Sequence, residues 1–202
     1  MPVTHGPHDH VMPSIDAPTI ALRRAIATTI ERYGPGALLL ARNAGIRIIA
    51  LAPGDRFCER SPALRRLATS VDDWPMPPAG LFVVEERCVY LRSTSPMTVA
   101  HEFAHALDCA LGGGVYLSGL DARIQRAFSN ARGFVTPYAA SGLDEYFAEA
   151  LRAWVEANDV GSLWPRATRE RLRTLDPTMA SYVAELFGSR FCAEFPVRNL
   201  TP

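Results

Sequence analysis

His101 and His105 stand four residues apart, and Glu102 directly follows the first of them. On a helix, positions i and i+4 share a face one turn apart, so both imidazoles can bind one metal ion. Glu102, one position on, is close enough to hold a water bound to that metal. This is the HExxH pattern of zinc hydrolases, with two histidine ligands and a glutamate general base. Val99, Ala100, Phe103, Ala104, Ala106 and Leu107 surround it with apolar residues. Two imidazoles on so apolar a helix cost free energy unless they find partners. A pair of hydrogen-bonded core histidines would leave Glu102 without a purpose.

Zinc in a catalytic site takes a third protein ligand and leaves the fourth position for water. The other histidines, His5, His8 and His10, all lie in the first ten residues, so the body of the chain must supply a carboxylate. Cys109 is a turn too far along the same stripe. The candidates are Asp108, Asp121, Asp144, Glu145, Glu149 and Glu156. Asp108 is three residues past His105 on the same helix and reaches the ion poorly; a supporting or capping contact suits it better. Glu145 and Glu149 sit at i and i+4 on a predicted helix over 142–158, flanked by Tyr146, Phe147, Ala150, Leu151 and Trp154. Crossing beneath the His-Glu helix, that helix would supply one glutamate as ligand and the other as its support.

The elements that must position these groups read as α+β. Residues 1–18 carry Pro, His and Asp without hydrophobic periodicity and are expected to be a mobile tail. The rest, 19–202, is expected to be a single domain, which the length of 202 residues allows. Helical spacing covers 19–33 and 37–43, and 46–51 is β-branched and strand-like. Residues 52–79 are proline-rich and irregular, with a short helix near 63–69. A hairpin over 80–84 and 88–92 precedes the His-Glu helix, which Pro96 opens and Gly112–Gly114 stop. Further helices are expected over 120–132, 142–158, 165–174 and 177–187. The small sheet should pack on the His-Glu helix, with a helical C-terminal half. Arg169, Arg171 and Arg173 read as a solvated face.

Composition excludes several classes. Apolar residues make up 48% and charged residues 21%, which is ordinary for a folded domain. The 21 basic residues balance the 21 acidic ones, which argues against a nucleic-acid partner. All the basic residues are arginine, so a lysine nucleophile or Schiff base is excluded. No apolar stretch is long enough to span a membrane. The N-terminus lacks the basic start and apolar segment of a secretory signal, which points to the cytoplasm or another export route. Cys58, Cys88, Cys109 and Cys192 contain no CxxC pair and could form two disulfides or none.

The run His101-Glu-Phe-Ala-His-Ala-Leu-Asp108, then Tyr138 and Glu145-Tyr-Phe-Ala-Glu149, resembles the anthrax lethal factor-like family of zinc peptidases. That family carries a gluzincin-type HExxH, a tyrosine, and a glutamate seven residues after the tyrosine; Tyr138 and Glu145 have that spacing. It includes bacterial peptidases that cut between prolines. The resemblance implies a zincin-like fold and a Zn2+ cofactor. It implies that His101, His105 and Glu145 bind zinc, that Glu102 is the base, that Tyr138 faces the substrate carbonyl, and that Glu149 supports the metal shell. It is specific in two blocks, 99–108 and 136–150.

The expected activity is zinc-dependent endopeptidase cleavage of a peptide or protein substrate, through a zinc-bound water activated by Glu102. No histidine is left to stabilise the oxyanion, so Tyr138 is the natural donor. The hairpin before the helix offers an edge strand on which an extended peptide can add. Two other readings share the motif: a cytosolic regulatory protease that cuts a repressor-type partner, and a non-catalytic zinc-stabilised binding module. A structural metal site needs no base, so Glu102 speaks against the last. Oligomeric state is not legible in the sequence.

Overall fold

The computed structural model describes residues 10–163 and 165–192. Four strands form one mixed sheet in the order β1–β2–β4–β3: β1 (Ser14–Asp16), β2 (Arg47–Ala50), β3 (Gly80–Val83) and β4 (Cys88–Leu91). β1 runs parallel to β2 and β2 parallel to β4, whereas β3 is antiparallel to β4. The helices are α1 (Ile20–Ile30), α2 (Pro35–Asn43), α3 (Phe57–Arg60), α4 (Pro62–Arg65), α5 (Pro96–Leu111), α6 (Ala122–Asn130), α7 (Leu143–Trp154), α8 (Arg169–Leu175) and α9 (Pro177–Leu186). The α+β expectation holds, with the sheet in the first half and helices throughout the second. No helix among the described residues is long and apolar enough to cross a membrane.

Side chains on a strand alternate between faces, and β2 and β4 use both. Ile48, Val89 and Leu91 join Phe103, Leu107 and Phe147 in the main core. Cys88 and Tyr90 turn the other way, onto Phe57, Val71 and Val83. A strand covered on both faces reads as a continuous apolar run, which is what Cys88-Val-Tyr-Leu91 is. The four cysteines are free thiols.

The sequence misplaces one strand. Residues 14–16, expected in the mobile tail, form β1, with Ser14 opposite Arg47 and Asp16 opposite Ile49. Val11 and Ile15 are buried. Three residues are too few for alternation to be visible, and the partner strand supplies the order. Residues 1–9 of that expected tail, with His5 and His8, lie outside the described residues, as do 193–202.

The irregular segment 52–79 holds two single-turn helices, α3 and α4, in place of one helix over 63–69. Asp72 fixes it to the sheet. Its carboxylate accepts from the amides of Phe57 (2.9 Å) and Cys58 (3.1 Å), from Ser70 Oγ (3.2 Å) and from the Arg92 guanidinium. Burial opposes the Asp72 charge, but these donors together hold its pKa down to about 2. Arg92 in turn lies over the Phe57 ring, 4.5 Å from its centroid.

Helix α5 begins with Ser95 as its cap, its hydroxyl accepting from Thr98 N at 3.3 Å, and with Pro96 in the first turn. Asp159 Oδ1 accepts a second free amide, Met97 N, at 2.9 Å. The helix is buried from Val99 through Cys109 and packs against α7. Helix α7 stops at Trp154, four residues short of its predicted end, and Glu156 there takes a left-handed conformation with φ 53°. The arginines of α8 are not simply solvated. Arg171 donates to Val135 O at 2.8 Å, and Arg169 and Arg173 both lie 5.3 Å from the Trp154 ring centroid. Each covers apolar surface with its stem while the guanidinium finds an acceptor or a ring face.

Candidate metal centre

The crossing of α5 and α7 brings Glu145 to the two histidines, forty residues after His105. His101 Nε2 and His105 Nε2 are 3.1 Å from each other. Glu145 Oε2 is 3.0 Å from the first and 3.2 Å from the second. His101, His105 and Glu145 each offer one donor atom within 4.8 Å of the others, a group that could hold a metal ion. Four ligands at zinc distances of about 2.0–2.1 Å in a tetrahedron lie about 3.3 Å apart, so the three atoms already stand close to that edge length. Two imidazole nitrogens and a carboxylate oxygen are a donor set that zinc accepts.

Charge agrees with geometry. Glu102 and Glu145 lie beside both imidazoles, and Glu149 is paired with the Arg152 guanidinium. The Glu145 carboxylate, turned to the two imidazoles, is a charge that a bound cation would balance. Burial works against the charge on His101, but bonds to Glu145 and Glu149 push its pKa up to about 10. Burial likewise opposes ionised Glu145, yet the two imidazoles hold it far below the usual carboxylate range.

Behind His101 stands a closed polar network. His101 Nδ1 donates to Glu149 Oε1 at 2.9 Å. Arg152, 2% exposed, donates from Nε to Glu149 Oε1 and from Nη2 to Oε2, each at 2.7 Å. Thr136 Oγ1 donates to Oε2. Glu149 therefore accepts four bonds, its full capacity. The remaining nitrogen of Arg152 is tied down as well: Nη1 donates to Ala157 O at 2.9 Å and to Asn158 Oδ1 at 3.3 Å. A bidentate guanidinium of this kind holds a carboxylate in one orientation, and Glu149 in turn orients the His101 ring, with Nε2 toward the centre.

Asp108 does not join this network. Both its oxygens accept from Ser118, from the amide at 2.9 Å and from Oγ at 2.6 Å. The expected contact to the metal shell is replaced by an anchor for the turn Leu117–Gly119. His105 Nδ1 is buried and has no hydrogen-bond partner. Its ring is held by packing, 4.7 Å from the His101 ring and 5.8 Å from that of Tyr116.

Tyr138 donates to Glu145 Oε1 at 2.9 Å, and its ring centroid lies 5.4 Å from that of His101. It is 46% exposed, so one face looks outward. Glu102 is buried beneath β3. Burial raises its pKa, against the lowering pull of the two imidazoles. His101, Glu102, Thr136 and Tyr138 line a cavity of about 250 Å³, with Pro78, Ala79, Met97 and Thr98 forming its apolar wall.

With this geometry in place, the chain's resemblance to solved structures is informative. The Pro-Pro endopeptidase PPEP-2 of Paenibacillus alvei superposes with a TM-score of 0.62 over 85% of this chain and 96% of its own, at 19% sequence identity. This chain shares its fold. No protein-family profile matches the sequence, and no curated protein does. The small mixed sheet and helical second half are thus those of the PPEP-2 fold.

Two members of the site were not foreseen. Arg152 sits three residues after Glu149, the spacing at which helix side chains meet, and it is the one arginine within the apolar stretch 146–155. Thr136 had no such signal; only the return of the 133–137 loop over α7 brings it to Glu149.

Proposed function

We propose that the chain is a zinc-dependent endopeptidase, with His101, His105 and Glu145 as the metal ligands and Glu102 as the general base. The observation that carries this reading is the convergence of the three donor atoms at 3.0–3.2 Å beside Glu102. When bound, zinc supplies a Lewis acid that polarises the scissile carbonyl and brings the pKa of water down toward about 7. Glu102 takes the proton of the attacking water and returns it to the leaving amine; its burial, which favours the protonated form, suits the second transfer. Burial keeps the Tyr138 phenol protonated well above its ordinary range, so it remains a donor. Turned from Glu145, its hydroxyl stabilises the oxyanion of the tetrahedral intermediate. The fold of a Pro-Pro endopeptidase supports peptide-bond hydrolysis as the reaction class.

The substrate strand adds to β3, the first strand of the hairpin, rather than to the second, 88–92. β4 lies inside the sheet, and β3 is the edge. Arg92 N donates to Ala79 O at 2.9 Å, so Ala79, Leu81 and Val83 face β4 in the ladder. The backbone groups of Gly80 and Phe82 then point to the open side; the Phe82 amide bonds the Glu102 carboxylate, and the others are left for an extended peptide to pair with. A side chain next to the scissile bond enters the cavity beside His101.

Peptide-library cleavage by zinc-loaded protein, read by mass spectrometry beside Glu102→Ala, tests the activity. Cleavage by wild type alone is expected. Equal cleavage by both proteins would remove Glu102 from the mechanism. Absence of cleavage by both, with zinc bound, would favour a binding role.

A further inference from the structure

Edge strand β3 lies unusually close to α5 at one point. An ideal Cβ built on Gly80 would stand 2.7 Å from Glu102 Cγ, 3.2 Å from Glu102 Cδ and 3.1 Å from Thr98 Cγ2. The first of these is shorter than any ordinary carbon–carbon contact. Glycine inside a strand weakens it and commonly marks a place where another group must approach closely. The neighbours show why the space cannot open elsewhere. Leu81 and Val83 on the opposite face pack on the cluster of Phe57, Val71 and Tyr90. Ala79 is clamped by two amides, Arg92 N and Ser93 N, both at 2.9 Å. The strand is therefore held at this height. The Glu102 side chain is confined between a bare α-carbon above and its own helix below.

We propose that Gly80 is a positioning residue for the general base: its missing side chain is the space that Glu102 occupies, and any larger residue there displaces the carboxylate. This rests on Glu102 as base for its kinetic consequence, but not for its structural one. The same bare α-carbon lies on the open-edge register of β3, so the strand that would receive the substrate also sets the height of the base beneath it. A misplacement of about 1 Å in such a group costs on the order of a hundredfold in rate.

The test is a cycle of Gly80→Ala and Glu102→Ala. In the native background, Gly80→Ala should lower kcat about a hundredfold with KM changed less than threefold, and leave zinc affinity, measured by chelator competition, within threefold. It should also lower Tm by roughly 3–10 °C, the usual scale of overpacking in a chain this size. In the Glu102→Ala background the Cγ is gone and the contact to Thr98 Cγ2 remains, so Gly80→Ala should cost less than half as much in Tm. If Gly80→Ala fails to fold, recovery of folding by the double variant carries the same result. Wild-type kcat in Gly80→Ala, or a Tm loss undiminished without Glu102, would overturn the proposal. Full activity of Glu102→Ala alone would instead overturn the reading of the base, and the Tm cycle would still decide whether Gly80 makes room for Glu102.

Discussion

The two histidines share a helix face and a residue type, yet they are held by opposite means. His101 is oriented by hydrogen bonds: its Nδ1 meets Glu149, and Glu149 is saturated by Thr136 and the buried Arg152. His105 has no such partner at Nδ1 and is fixed by the rings and helix around it. Asp108, three residues on along its own helix, is spent on Ser118. One imidazole is thus positioned by polar chemistry that reaches the end of α7, the other by close packing in the core. Damage to the site should differ accordingly on the two sides.

The largest effect is expected where both sides meet. Glu145→Ala removes the group that contacts both imidazoles, and stoichiometric zinc binding should be lost in a calorimetric titration; retention would sink the ligand assignment. Next comes the support of His101. Arg152→Met leaves Glu149 buried without its guanidinium, and breaking a buried pair in this way costs about 3–5 kcal/mol, readable as a shifted urea midpoint. Glu149→Gln should weaken zinc binding by about 10–100-fold, the usual effect of losing a partner that orients a ligand; an unchanged affinity would show that His101 needs no such help.

The His105 side should respond least. Asp108→Asn is expected to keep zinc affinity within a few-fold. Its effect is on stability and is pH-dependent. Burial raises the Asp108 pKa from 3.8 to about 6, against the bonds from Ser118. A raised native pKa contributes stability that is present below about pH 4 and is lost as pH rises through 6. Asparagine has no such titration. Relative to wild type, the variant should therefore gain up to about 3 kcal/mol between pH 4 and pH 7, with a chelator present in both. A difference independent of pH would contradict this.

Much of this arrangement was legible in the residues. The apolar run around His101 and His105 marks a buried helix, and Glu145 and Glu149 on one face of a second apolar helix demand a partner; the contacts of α5 with α7 answer both. Helix α5 runs over Pro96–Leu111 because its start and stop are written in proline and glycine. What stayed hidden depends on long-range placement. β1 is three residues long and is ordered by its pairing with β2. Thr136 and Ser118 are unremarkable in sequence and matter only because loops fold back over α7 and α5. The role of Gly80 follows from a distance between a strand and a helix that no local pattern encodes.

The central claim, that His101, His105 and Glu145 form one metal centre, is tested most directly by zinc X-ray absorption on protein loaded with one equivalent. The account predicts two imidazole nitrogens with oxygen completing the shell, all at about 2.0–2.2 Å. A sulfur neighbour near 2.3 Å would place a cysteine such as Cys109 on the metal, and failure to bind an equivalent would remove the centre altogether.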